Sequence, residues 1–277
     1  MTPEEYCIYK AAPAGSTLHY ALLFVPPPQQ RALVAVHALS RELDEAADKP
    51  DDPQVALASL AWWRQELSRL PAGSPQHPVT RALLAAMERF DISAGLLASL
   101  VDAGENRLEQ QRFADFASLE KHCYDACTAM ALLSAGICGY RDSRTADHAV
   151  MLGVANCLAN FIRNMGEHVR RNRLYVPVDE LQRFDVPAAD LLNLREGEKF
   201  SQLMAFQADR VERLYEEALG ALPAEDRRSQ HPGLILAAIA REELEEIRRR
   251  HFPVLSRRTA LTPLRKLWIA CRTRLGA

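Results

Sequence analysis

Apolar residues return at helical spacing along almost the whole chain, and no run alternates apolar and polar residues with period two. That pattern leaves an all-α fold as the reading. Prolines and glycines punctuate it at Pro26-Pro27-Pro28, Asp51-Asp52-Pro53, Pro71-Ala72-Gly73, Gly139-Tyr140, Pro177, Pro187, Pro223 and His231-Pro232-Gly233. Between these breaks lie helical segments of roughly 12 to 25 residues, long for globular helices. Thr2, Pro3 and Glu5 form a capping box with proline in the first turn, so a short helix opens the chain. The spacing predicts long helices over Gln29–Asp48 and Thr145–Val169.

At 277 residues the chain is near the upper limit for one hydrophobic core, and no repeat or long linker divides it. The expectation is a single domain spanning 1–277, an orthogonal helical bundle around a central cavity. A formal charge of −2 gives no global basic field for nucleic acid. The acidic N-terminus reads as no signal peptide, and no apolar run approaches the ~20 residues of a membrane-spanning helix. Six cysteines without a C-x-x-C pair read as free thiols in a reducing compartment. The expected location is the cytoplasm, with peripheral contact to the inner face of the membrane.

Two constellations carry chemistry. The first long helix ends R-E-L-D-E-A-A-D, with Asp44 and Asp48 one turn apart on one face and His37 and Arg41 continuing the stripe. Like charges at this spacing repel unless something positive sits between them. Carboxylate oxygens suit Mg2+, which takes one or two beside water and phosphate; a solvated acidic helix end is the plain alternative. In the second long helix Asn160, Asn164 and Glu167 fall at i, i+4 and i+7, flanked by Arg163 and His168. A basic loop follows, Arg170-Arg171-Asn172-Arg173-Leu174-Tyr175-Val176-Pro177, whose arginines and tyrosine suit a diphosphate.

With these segments the chain resembles the squalene/phytoene synthase family, most closely its bacterial squalene and presqualene diphosphate synthases. The resemblance begins at Tyr6-Cys7, Lys10-Ala11-Ala12 and Gly15-Ser16, passes through Leu23-Phe24 and Pro26-Pro27, and takes in Arg41 to Asp48. It continues at Trp62-Trp63-Arg64, His77-Pro78-Val79 and Arg170 to Pro177, and closes at Leu261 to Trp268. It implies an isoprenoid-synthase bundle in which Mg2+ holds prenyl diphosphates such as farnesyl diphosphate for head-to-head condensation. Carried over, Asp44, Asp48 and Tyr124 are catalytic. Ser16, His37, Arg41, Asn160, Arg163, Arg173 and Tyr175 bind substrate. Asp44, Asp48, Asn160, Asn164 and Glu167 hold metal. No nucleotide-binding fingerprint is present, so NADPH use is left open.

The chain departs from the family pattern where the chemistry lies. Active relatives read approximately Q-x-x-N-x-x-R-D-x-x-E-D in the second motif; here Cys157, Asn164 and His168 replace the glutamine and two aspartates. Both glycines that follow Tyr124 in relatives are lost in the segment Asp125 to Ala131. His37 stands where a tyrosine is usual and Arg107 where relatives tend to have an aspartate. Two readings follow. One is a prenyltransferase with a weakened second metal site. The other is a catalytically inactive relative, serving as a binding, partner or assembly protein beside a paralogous synthase. A transition-metal enzyme using His37, His168 and the aspartate pair has no support in the spacing.

At the periphery, Trp62 and Trp63 are adjacent, so one faces the core. Glu242 to Arg250 reads as a solvated helix face with i,i+4 pairs. Leu261 to Leu275 is basic and amphipathic, with Leu264, Leu267, Trp268 and Cys271 apolar, and suits either a membrane surface or docking on the bundle.

Overall fold

Proline placement sets where several helices begin in the computed structural model, which describes residues 1–49 and 52–276. Helices α1 (Pro3–Ala11), α3 (Pro27–Asp48), α4 (Pro53–Leu67), α5 (Pro78–Met87) and α14 (Pro263–Leu275) each carry proline in the first turn. There its missing N–H is no loss. The others are α2 (Thr17–Ala21), α6 (Ala94–Glu109), α7 (Phe116–Cys138), α8 (Arg144–Arg163), α9 (Met165–Arg170), α10 (Val178–Arg183), α11 (Ala188–Leu192), α12 (Glu198–Ala221) and α13 (His231–Arg249), the last also with proline in its first turn. No strand occurs among the described residues. The all-α expectation holds. Two expected breaks move: Pro27-Pro28 and Pro232 lie inside first turns rather than between helices.

Helix α1 opens on the expected capping box, Thr2 with Glu5. Gly139 ends α7 at φ 78°, a conformation that glycine adopts without strain. The expected helix Thr145–Val169 is corrected. It breaks at Asn164, so α8 and α9 are separate elements. Gly166 follows the break with its N–H donating to Val254 O at 3.0 Å, and a Cβ there would lie 2.5 Å from Leu255 O. That close approach of backbone to backbone holds the new helix direction.

Two apolar cores share one helix. Leu33, Val36 and Leu39 of α3, Leu60 and Trp63 of α4, Leu83 of α5 and Leu97 of α6 build the first. Leu152, Leu158 and Ile162 of α8, Leu203, Val211 and Tyr215 of α12 and Leu244 of α13 build the second. From α7, Ala129, Leu133 and Ile137 enter the first core, whereas Leu119 and Cys123 enter the second. Asp226 fixes the start of α8, accepting from the N–H groups of Arg141 and Asp142 and from Thr145 Oγ1 at 2.7 Å.

Trp63 is buried and Trp62 is exposed, as their adjacency requires. The run from Glu242 to Arg250 carries the expected i,i+4 pairs Glu245–Arg249 and Glu246–Arg250, but Glu243 turns inward and is buried. Helix α14 docks through Ile269 and Ala270 and leaves Leu264, Leu267 and Trp268 in solvent.

Candidate functional site

The C-terminal ends of α3 and α6 meet the loop after α9, and arginines from the last two face the aspartates of the first. Asp44 and Asp48 lie towards the C-terminus of α3, where the helix dipole already disfavours negative charge, and the last turn of α3 has no basic residue. The compensating cations come from elsewhere. Arg107 Nη1 of α6 lies 2.8 Å from Asp44 Oδ1 and 3.9 Å from Asp48 Oδ2. Arg171 Nη1 lies 3.1 Å from Asp48 Oδ2, and Arg173 takes Asp48 Oδ1.

Local backbone explains how the two loop arginines reach Asp48. Asn172, at φ 57°, adopts the left-handed conformation that asparagine tolerates best among non-glycine residues. Its N–H donates to Val169 O and that of Arg173 donates to His168 O, so the chain doubles back at the end of α9. Arg112 clamps the turn through the carbonyl and side chain of Asn172, and Leu174 N–H donates to Gln111 O. Arg173 is 6% exposed, so its pairing with Asp48 is little screened by solvent. Burial works against the Arg107 charge, but Asp44 and Asp48 overcome it and hold the guanidinium more firmly protonated than usual.

The second-motif residues divide. Asn160 Oδ1 accepts from Asn164 Nδ2 at 2.7 Å and from Arg163 Nη2 at 2.8 Å. Arg163 also pairs with Glu243 of α13, so its charge is spent inside the bundle. The break at Asn164 turns Glu167 outward, where it is exposed and faces Arg258 at 3.5 Å. Asn160, Asn164 and Glu167 therefore do not form one ligand face. Asn164 Oδ1 and both ring nitrogens of His168 are buried without a hydrogen-bond partner. Burial pushes the His168 imidazole down to about 4; Asp48 opposes that and Arg173, Arg107 and Arg171 reinforce it. His168 is neutral at pH 7.

Tyr175 is buried, its ring stacked on Phe161 at 3.8 Å with His168 edge-on at 4.9 Å. Phe113 and His122 complete this aromatic cluster. His37 lies one turn before Arg41, and burial followed by the Arg41 charge pushes its imidazole down to about 4. Arg41 itself is exposed. Ser16 caps α2, its Oγ accepting from His19 N–H at 3.2 Å. Tyr124 is 52% exposed on α7, and its side chain makes no hydrogen bond among the described residues.

Magnesium is a poor fit to this arrangement. Mg2+ needs free oxygen ligands in octahedral array. Both aspartates are engaged by guanidinium groups, Asn160 Oδ1 already accepts two hydrogen bonds, and Glu167 faces Arg258. Asn164 Oδ1 is an unengaged oxygen, but the neighbouring His168 offers nitrogen. Among the described residues no group of three or more His, Cys, Asp or Glu side chains is placed to hold a metal ion.

A sequence profile described as Squalene/phytoene synthase matches residues 11–265. The chain belongs to the squalene/phytoene synthase family. Among similar proteins, the phytoene synthase of Mycobacterium tuberculosis is 30% identical over 261 residues, covering 93% of this chain and 85% of that protein. A 15-cis-phytoene synthase of Synechocystis is 27% identical over 275 residues, 95% of this chain and 82% of that one. A dehydrosqualene synthase crystal structure superposes with TM-score 0.80 at 22% identity, covering 99% of this chain and 96% of that one. A squalene synthase from Alicyclobacillus acidocaldarius gives 0.77 at 21%, covering 90% and 94%. These structures show a shared fold. Membership of the squalene/phytoene synthase family supports a prenyltransferase type of function in isoprenoid biosynthesis.

The sequence placed Arg171 among the loop arginines that suit a diphosphate and marked Arg107 only as a departure from the family pattern, and neither was carried over as an individual site residue. Their signal was the acidic stripe itself, which needed positive charge between its members.

Proposed function

We propose that this chain is one domain that binds a prenyl diphosphate such as farnesyl diphosphate, and that its head-to-head condensation is reduced. The supporting observation is the cluster of Arg107, Arg171 and Arg173 on Asp44 and Asp48. Guanidinium groups recognise phosphate oxygens in pairs. The aromatic rings of Phe161 and Tyr175 nearby offer an apolar wall for a prenyl chain. Condensation requires an allylic diphosphate to ionise, which calls for strong stabilisation of the departing diphosphate. The resemblance assigns that task to Mg2+, and the aspartates that would hold it are already paired with arginine. The proposal includes no NADPH-dependent step.

A second reading, a partner or assembly protein beside a paralogous synthase, is favoured by one surface feature. A groove of about 750 Å3 runs between α3 and α4, lined by Val55, Ala58 and Trp62 and bordered by Glu42, Glu45 and Lys49. The exposed Leu264, Leu267 and Trp268 of α14, with Arg272 stacked 4.6 Å over Trp268, support contact with an anionic membrane face on the cytoplasmic side. No helix among the described residues is long and apolar enough to cross a membrane.

The deciding experiment measures binding of farnesyl diphosphate and release of diphosphate with Mg2+ present. It compares the native chain with Asn164→Asp/His168→Asp and with the triple variant that adds Arg107→Asp. Binding without release is expected of the native chain, with release increasing most in the triple variant. A native kcat near 1 s−1, the low end of ordinary enzymes, overturns reduced catalysis. Absence of binding overturns the substrate class.

A further inference from the structure

The seat that a divalent cation would take between Asp44 and Asp48 holds a cation already, and it belongs to the chain. Arg107 comes from another helix and spans both carboxylates, at 2.8 and 3.9 Å. Arg171 and Arg173 cover the two oxygens of Asp48. Three guanidinium groups against two carboxylates leave the cluster one formal positive charge in excess. An approaching Mg2+ meets net repulsion and occupied ligands. An approaching anion meets attraction in a partly desolvated place, where charges act more strongly than in bulk water.

The surroundings point the same way. Both ring nitrogens of His168 are buried beside this cluster without a hydrogen-bond partner, and at least one of them carries a proton, so a buried N–H there has no acceptor in the protein. Such a donor is costly to leave unmade. The Arg171 side chain is 46% exposed, against 7% for Arg173. It is the arm free to turn from Asp48 to an incoming ligand, while Arg107 and Arg173 stay anchored. The carboxylates then serve to align the guanidinium groups when no ligand is bound, keeping like charges from driving them apart.

We infer that this chain holds a diphosphate head group through Arg107, Arg171 and Arg173 without a divalent cation, the Arg107 guanidinium standing where the metal would. The inference rests on the prenyl diphosphate reading and deepens it by changing what grips the head group. Guanidinium forks match phosphate oxygens well and bind by charge-assisted hydrogen bonds. Binding of this kind positions a diphosphate ester and leaves its C–O bond intact, which is the behaviour of a holder or carrier rather than of a synthase.

The test is calorimetric titration of the full chain with inorganic pyrophosphate, once in EDTA and once in excess Mg2+. Titration of Mn2+ followed by electron paramagnetic resonance accompanies it. Pyrophosphate is expected to bind in EDTA with affinity within about threefold of that in Mg2+, and native protein is expected to leave the Mn2+ signal unchanged. Arg107→Asp is expected to weaken metal-free binding at least tenfold and to bring in stoichiometric Mn2+. Should that variant fold poorly, Arg171→Gln on the exposed rim is expected to weaken metal-free binding severalfold with an unchanged melting curve. Pyrophosphate binding that appears only with Mg2+, or stoichiometric Mn2+ on the native chain, overturns the inference and leaves the prenyl diphosphate reading standing. Failure of both pyrophosphate and farnesyl diphosphate to bind in either buffer overturns both.

Discussion

Arg107 Nη1 lies 2.8 Å from Asp44 Oδ1, joining the end of α6 to the acidic stripe of α3. The pair is a contact between helices, so removing one partner strands the other. Arg107→Ala is expected to lower stability by about 2 kcal/mol, less than for a fully buried pair because both side chains retain some solvent. The measurement is urea denaturation of Arg107→Ala, Asp44→Asn and the double variant. Additive losses would show that the two groups are not coupled.

Arg163 and Glu243 give a sharper case. The Glu243 side chain is 4% exposed and faces Arg163, whose Nη2 also donates to Asn160. Glu243→Ala leaves a guanidinium uncompensated inside the bundle and is expected to cost about 3 kcal/mol. If Arg163 instead serves a bound diphosphate, the same substitution will barely move the melting temperature and will change ligand affinity.

Acid should loosen the fold well before carboxylates titrate. Burial, with Arg41 and Arg107 respectively adding to it, pushes His37 and His122 down to about 4; burial does the same for His168. The unfolded chain takes up these protons near pH 6.5. Between those values it binds more protons than the folded chain, so falling pH favours unfolding. A loss on the order of 1 to 2 kcal/mol per imidazole is expected by pH 5. Melting temperatures at pH 7.5, 6.5, 5.5 and 5.0 should fall in order, and His122→Gln should flatten the slope. A constant melting temperature across that range contradicts the account.

Gly166→Ala should be worse than any other glycine-to-alanine change in the chain. Its Cβ would stand 2.5 Å from Leu255 O, a backbone atom with no rotamer to give way. A loss of about 2 to 3 kcal/mol is expected from overpacking. Gly139→Ala, at φ 78° but in open space, should lose only about 1 kcal/mol. Thermal melts of the two variants side by side decide the order.

Trp268→Glu on α14 should abolish sedimentation of the protein with anionic vesicles without shifting its melting curve, since the ring is 57% exposed. Vesicle binding that survives this change and Leu264→Glu together places any membrane contact elsewhere.

Periodicity made the helices legible, and proline made their beginnings legible. What it hid was the break at Asn164. Nothing in the 3.6-residue pattern of Asn160 to Val169 announces that Gly166 approaches the backbone of Val254 and Leu255, a contact about 90 residues away in sequence. With the break unseen, Glu167 fell on the wrong face. Of the candidate site residues, Asp44, Asp48 and Arg173 do meet, because the first two share a helix face and the third lies in a loop too basic to overlook. Arg107 stayed outside, since its partners sit on another helix and sequence alone does not give that pairing.

The helix shared by the two cores has a mechanical meaning. Cys123 and Leu133 belong to one rod, yet each is clamped in a different apolar interior. Neither interior can open without pulling a wall out of the other, so the halves should melt in one step. The arginines of the second half reach Asp48 of the first across that same seam, which makes Asp48 a strain gauge for the joint. A ligand that draws Arg171 away from it would be felt as a change in how firmly the two halves grip each other.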